Sequence, residues 1–594
     1  MEFTYKKHDN SKLFSSLDKA NLGLKQLQNY IPLYNNFFEL TDVNWNNINL
    51  NNKHYLHCIN AKETDNIVSG VLKDIESNSK INRQVFFKYS PLLDPLKYLV
   101  GKYDITDTKL LTLPSFTNQA ITNAKINDVN NSAYIDSFFS YLTSKLLHTH
   151  GFLHGIDFYG SFLSIKEDYV VNIYDDIEYI NDFDFFHKQK DILFTVDESY
   201  ADIVSRDTRN NKQKLNVLNE PVDLEVTEID TGNSKLGKLE PDAKPAAKPD
   251  AKPDAKLELD VIYVNVNTPI SKKNNSNKSS SSSSSCSSRS SNSSIASADA
   301  VGAVGTDAVD TVGTDANSDF ESDAESDFES DDDYSSIDGE EVLVKIKTFP
   351  VQTIALEYCE DTLNSLIEDE DQPLSDEEWE SIVMQILMSL ITYQNVFALT
   401  HNDLHTNNIM YITTEKQYIY YKVDTMYYKV PTFGKLYKII DFGRAIYKFK
   451  GQLLCSDSFH PKGDAATQYN FKPYYNPKKP LVEPNFSFDL CRLGCSIYDY
   501  IVDDVNLEAS ITAPIMKIII DWCKDDKGRN ILYKKNGDER YPDFKLYKMI
   551  TRKVHAHTPL NVLRNAYFDK FKVTKKKISK DKSIINIDDM PIYV

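Results

Sequence analysis

The 594-residue chain carries 67 Lys and Arg against 87 Asp and Glu, a formal net charge of −20, and fourteen of the acidic residues fall between Val301 and Glu340, where no basic residue occurs. The remainder is close to balanced, which argues against a generally basic nucleic-acid binder, and no apolar run approaches the ~20 residues that cross a bilayer. The polar start MEFTYKKHDN lacks a secretory apolar region, so an intracellular setting is expected, with the seven cysteines (no CxxC pair among them) as reduced, mostly buried thiols.

Residues 1–204 mix apolar, aromatic and charged residues in globular proportions. Within them, residues 83–103 set Lys88 after an apolar run, and residues 132–152 read as a helix that carries Asp136. His148, His150 and His154 cluster, but no cysteine or carboxylate completes a metal-ligand pattern. They are expected as core or surface histidines. From 205 to 340 the composition collapses into the repeat PDAKPAAKPDAKPDAK, a polyserine tract from Ser279 and the acidic repeat SDFESDAESDFESDDD from Ser318. Such a segment buries too little apolar surface to offset its chain entropy, so it is expected to be disordered. One stretch inside it, LELDVIYVNV at 257–266, has a short strand's pattern. Ser318, Ser322, Ser326 and Ser330 fit S-D-x-E/D, so the block reads as a solvated spacer or as an acceptor of acid-directed phosphorylation.

Globular sequence resumes at 341 and runs to 571, before a Lys-rich tail at 572–594. Residues 349–367 read as a buried strand, then polar residues and a helix start, with Glu357, Tyr358 and Cys359 at the strand's end. Ser375 and Glu378 then make a capping box for an amphipathic helix with apolar residues from Trp379 to Ile391. In the loop that follows, HNDLHTNN, Asp403 and Asn408 are five residues apart. The apolar strand KLYKII ends in Asp441-Phe442-Gly443. An aspartate there can put its carboxylate beside a bound cation, and magnesium in nucleotide sites takes one or two carboxylates with phosphate oxygens and water. One carboxylate as base, with an amide and a second carboxylate as metal ligands, is the equipment of phosphoryl transfer.

On HNDLHTNN, the DFG triplet and SFDLCRLGCSIYDY, the sequence resembles the protein-kinase superfamily. More narrowly, FFKYSPLLDPLKYLVGKY, TFPVQTIALEYC, DLHTNNIM and KIIDFGRAIYKFKG resemble serine/threonine kinases of giant, mimivirus-type DNA viruses, over roughly residues 50–200 and 341–570. The resemblance implies an α+β, two-lobed fold, with a β-rich N-lobe in 1–204, the insertion at 205–340, and the hinge and helical C-lobe in 341–571. It implies ATP and Mg2+ as cofactors and a protein substrate, with no nucleic acid or membrane, in host cytoplasm or virion. Asp403 is then the base, with His405 beside it in place of a loop lysine; Asn408 and Asp441 hold the metal; Glu357 and Cys359 belong to the adenine hinge. Lys88 is the phosphate-binding lysine, with Lys345 as competitor and Asp136 as its possible partner acid. Asp489 would anchor the catalytic loop.

Four departures qualify the likeness. No GxGxxG loop exists, so another turn, around Gly70, is expected over the phosphates. Asn402 replaces the catalytic-loop arginine, which leaves Arg444 and Arg492 as the evident substitutes to meet a phosphate on Ser456, Ser458 or Thr467. His405, unlike lysine, has a pH-dependent charge. The thirty-three residues from Asn408 to Asp441 imply an inserted hairpin around 418–430. An active protein kinase, a pseudokinase or scaffold, and a choline- or aminoglycoside-type kinase all stay open on these grounds.

Overall fold

A computed structural model describes residues 3–7, 10–197 and 341–594, with the paired backbone of Glu258–Leu259 and Asn292–Ser293 between them. The disorder and the phosphoacceptor repeat expected within 205–340 lie outside the described residues, and of the stretch 257–266 only that two-residue strand is described.

The architecture is mixed α+β. Its largest sheet is antiparallel and curled, in the order Leu24–Gln28, Phe158–Asn172, Leu343–Glu357, Lys80–Pro91, Ile67–Asp74, His54–Lys62, with Phe194–Val196 paired to the start of Leu343–Glu357. Strand formation follows from sequence alternation. In IVSGVLKD every second residue is buried, so one face of Ile67–Asp74 meets the core. Gly70 sits in mid-strand, where an added Cβ would come 2.9 Å from both Leu56 Cδ1 and Val85 Cγ2. It permits close packing and does not form the turn over the cavity. Residues 63–66, between His54–Lys62 and Ile67–Asp74, form that turn.

The helix Ser132–His150 starts at Asn131, whose side chain accepts from Ala133 N–H, and stops at Gly151 with φ 64°, the left-handed geometry glycine adopts without strain. It lies between the sheet and the second half of the chain. Phe139 meets Phe442 and Tyr447 at ring distances of 4.5 and 4.7 Å. The helix Asp376–Phe397 has both halves of the expected capping box and is buried along nearly all its length, which is why its sequence is apolar on more than one face.

Beyond it, Ile409–Thr413 pairs with Lys435–Ile439, and the expected hairpin is present as Tyr418–Val423 and Met426–Pro431. Asp424 and Thr425 have φ 51° and 65°, the two positive values a tight two-residue hairpin turn demands. Residues 572–594 are a structural part of this region. Lys572–Val573 and Ile584–Asn586 extend the hairpin to four strands, and Tyr593 stacks on Phe397 at 5.8 Å. The lysines 575–577 stay exposed. Helices Phe488–Ile501, Pro514–Trp522 and Lys545–Lys553 complete the second half. The six described cysteines form no disulfide with one another, and five of them are buried. Among the described residues no helix is long and apolar enough to cross a membrane.

Candidate functional site

A cavity of about 710 Å³ opens between the curled sheet and the second half of the chain, within the size range of small-molecule sites. Lys88, Asp136, Asp403, His405, Asn408 and Asp441 all line it, as do Glu357, Tyr358 and Cys359. Residues far apart in sequence arrive there because elements end at the cavity. Asn408 directly precedes Ile409–Thr413, and Asp441 follows Lys435–Ile439 by two residues. Ile409 pairs with Ile439, so the hairpin insertion returns the chain to where it left. Ile440 N–H donates to Asn408 C=O at 3.0 Å, which closes the two ends together.

Lys88 enters from the strand Lys80–Pro91. Its Nζ lies 2.7 Å from Asp136 Oδ2 and 2.8 Å from Asp441 Oδ1. Burial alone would favour the neutral amine, but the two carboxylates raise its pKa above the ordinary lysine value and keep it charged. Asp136 also accepts Phe442 N–H at 2.9 Å, so one buried helix carboxylate holds both the lysine and the DFG backbone. Lys345 lines the same cavity from an exposed position on Leu343–Glu357 and takes no part in this ion-pair network.

The loop that carries Asp403 is fixed from below. Asp489, fully buried at the start of Phe488–Ile501, accepts His401 N–H and Asn402 N–H, each at 2.9 Å. Asn402 has φ 68°, which asparagine tolerates better than most residues. Its Nδ2 donates to Thr400 and Arg444 carbonyls, and its Oδ1 accepts Tyr469 O–H at 2.6 Å.

Around Asp403, burial would raise the carboxyl, but the charges of Arg444 and Arg492 outweigh it and bring its pKa down to about 2. It is ionised at any physiological pH. Tyr547 O–H donates to Asp403 Oδ1 at 2.9 Å while accepting from Arg492 Nε at 2.9 Å. Arg444 is paired with Asp464 at 2.8 Å. His405 is buried, and burial lowers its pKa to about 4. Asn408 Nδ2 lies 3.1 Å from His405 Nε2 and 2.9 Å from Asp403 C=O. The histidine is therefore a neutral support for Asn408 rather than the pH-dependent cation anticipated for it.

A divalent cation fits the residues present. With Nδ2 of Asn408 directed to the Asp403 carbonyl, its Oδ1 would be the ligand atom, and Asp441 at the adjoining strand end would supply a carboxylate. The Glu357 carboxylate is ion-paired with Lys438 Nζ and accepts Asp157 N–H at 2.7 Å. Cys359 is buried, which raises its thiol pKa and leaves it inert. The turn above the cavity is acidic. Asp65 lines it, paired with Lys62 at 2.5 Å.

Sequence reasoning missed Tyr547, Asp464 and Lys438. A lysine between the apolar Tyr437 and Ile439 of the strand Lys435–Ile439 was a signal for the last, whereas Tyr547 looks like any core aromatic on its helix. Set against models of known protein families and against curated proteins, the chain matches none.

Proposed function

We propose that this chain is a two-lobed, kinase-like phosphotransferase that moves the terminal phosphoryl group of ATP to Ser/Thr hydroxyls of proteins. The carrying observation is Lys88 bridging Asp136 and Asp441 at the cavity that Asp403 and Asn408 also line. Lys88 holds the nucleotide phosphates, and Asp136 holds Lys88. Asn408 and Asp441 would hold magnesium, which when bound neutralises charge on the phosphate oxygens. Asp403 keeps Oδ2 for the acceptor hydroxyl, orients it and takes its proton, while Tyr547 fixes Oδ1. Positioning and preorganised charge supply most of the rate in such sites. Anchoring of the loop by both oxygens of Asp489 supports a protein rather than a choline-type acceptor, in line with the sequence resemblance.

A second reading is favoured by the turn over the cavity, which offers Asp65 where phosphates would otherwise meet glycine N–H groups. On that reading the chain binds nucleotide without turnover. Titrating ATP with and without magnesium, followed by labelled transfer to a generic basic protein, separates the two. The proposal expects magnesium-dependent binding that Lys88→Met weakens at least tenfold, together with transfer. Binding without transfer favours the second reading, and absence of binding overturns both.

A further inference from the structure

We propose that His54, His148 and Asp157 form a site for one zinc-type divalent cation. The three come from three elements: the first residue of the strand His54–Lys62, the last turn of Ser132–His150, and the residue before Phe158–Asn172. Sequence spacing hid the group, because His148 is completed by His54, far upstream, and by Asp157 rather than by its neighbours His150 and His154.

Their donor atoms all lie within 4.8 Å of one another. His54 Nδ1 is 3.4 Å from Asp157 Oδ2. That is long for an N–H···O bond, whose usual length is about 2.9–3.0 Å. Two donors bound at about 2.0–2.1 Å to one tetrahedral ion stand about 3.3 Å apart. His148 Nε2 reaches the other carboxylate oxygen at 2.7 Å, with the two imidazoles edge to face at 5.1 Å.

The outer contacts match those that orient metal ligands. His54 Nε2 lies 3.6 Å from Asp74 Oδ2, at ion-pair distance, which puts a second carboxylate behind the ring. Asp74 is itself held by N–H donors from Ser77 and Glu76. Ser144 O–H donates to Asp157 Oδ1 at 2.8 Å, and Asp157 N–H is tied to Glu357. Two neutral imidazoles with the Asp157 and Asp74 carboxylates balance a double positive charge. The side chains of His54, His148 and Asp157 are 19, 17 and 11% exposed, so an ion can enter and water can complete its shell. Nitrogen-rich ligation selects zinc-type ions over magnesium and calcium. Bound there, the ion clamps an edge strand, a helix end and the lead into Phe158–Asn172.

The test uses the full-length chain without a histidine tag, stripped with chelator and titrated with Co2+ and then Zn2+. One saturable equivalent is expected, with the visible bands of nitrogen/oxygen-ligated Co2+, displacement by Zn2+ and a higher melting temperature with metal. His54→Ala, His148→Gln and Asp157→Asn should each weaken binding at least tenfold. Should the first or last melt early without metal, His148→Gln, in the last turn of its helix, decides alone. No saturable binding by the wild type, unchanged affinity in His148→Gln, or a thiolate charge-transfer band that moves the metal to the cysteines would overturn the proposal.

Discussion

Asp403 owes its geometry to a tyrosine that no motif announces. Tyr547 passes the Arg492 charge to Asp403 through one hydroxyl, with hydrogen bonds of 2.9 Å on either side. A hydrogen bond to a charged group contributes about 1.5–3 kcal/mol. Tyr547→Phe should therefore slow transfer by about 10- to 100-fold with little change in nucleotide affinity. Equal kcat in the variant would show that the hydroxyl does not position the base. The same scale explains the missing arginine. Asn402 is saturated by Thr400, Arg444 and Tyr469, Arg444 is paired with Asp464, and Ser456 and Ser458 are buried. The segment after DFG is held by a carboxylate and amides already present. Activity should thus be independent of its phosphorylation; a tenfold loss on phosphatase treatment, about 1.4 kcal/mol of barrier, would contradict this. That Asp403, Asn408, Asp441 and Lys88 meet at one cavity was legible through the motifs the sequence resembles. Tyr547 and Asp464 were not, since their roles exist only once separate elements meet.

Among the elements, two stretches of low-complexity or basic sequence behave differently. The insertion leaves after Phe194–Val196 and returns at Leu343–Glu357, and these strands are paired, Val196 opposite Val344. Its ends therefore meet without help from what lies between. Loop-closure entropy changes by only about 0.6 kcal/mol per doubling of length. Replacing residues 205–340 with a short flexible linker should leave the melting temperature unchanged or slightly raised, and a clear drop would show that the block packs on the rest. Residues 572–594 should not tolerate removal. Ile585, Ile587 and Met590 are 3, 2 and 6% exposed, and fully burying one such side chain is worth about 1.5–3 kcal/mol. Truncation at 571 should lower the melting temperature by several degrees, and an unchanged value would contradict the packed arrangement. Composition correctly marked 572–594 as lysine-rich, yet it could not show that the interleaved Ile and Met residues find a partner strand in the hairpin.

For the whole molecule, buried histidines set the response to acid. Burial lowers both His154 and His405 to about 4, below the ordinary value of about 6.5. Between those values the unfolded chain binds more protons than the folded one, so stability is level above about pH 6.5 and falls as pH drops toward 4. The loss is up to about 3 kcal/mol per group. Denaturant midpoints near pH 7.5 and pH 5 should show the fall, and His154→Gln, if it folds, should reduce it; equal midpoints for the wild type would contradict it. The two halves share one core across the Ser132–His150 helix, where Phe139 meets Phe442, so the cavity between them is built by the fold itself. The central claim is transfer of phosphate at that cavity. Its most direct measurement offers terminally labelled ATP with magnesium and a Ser/Thr-rich basic protein to wild type, Asp403→Ala and Asp441→Ala. The account predicts label on Ser or Thr with the wild type and a loss of several orders of magnitude in each variant; equal labelling by all three would contradict it.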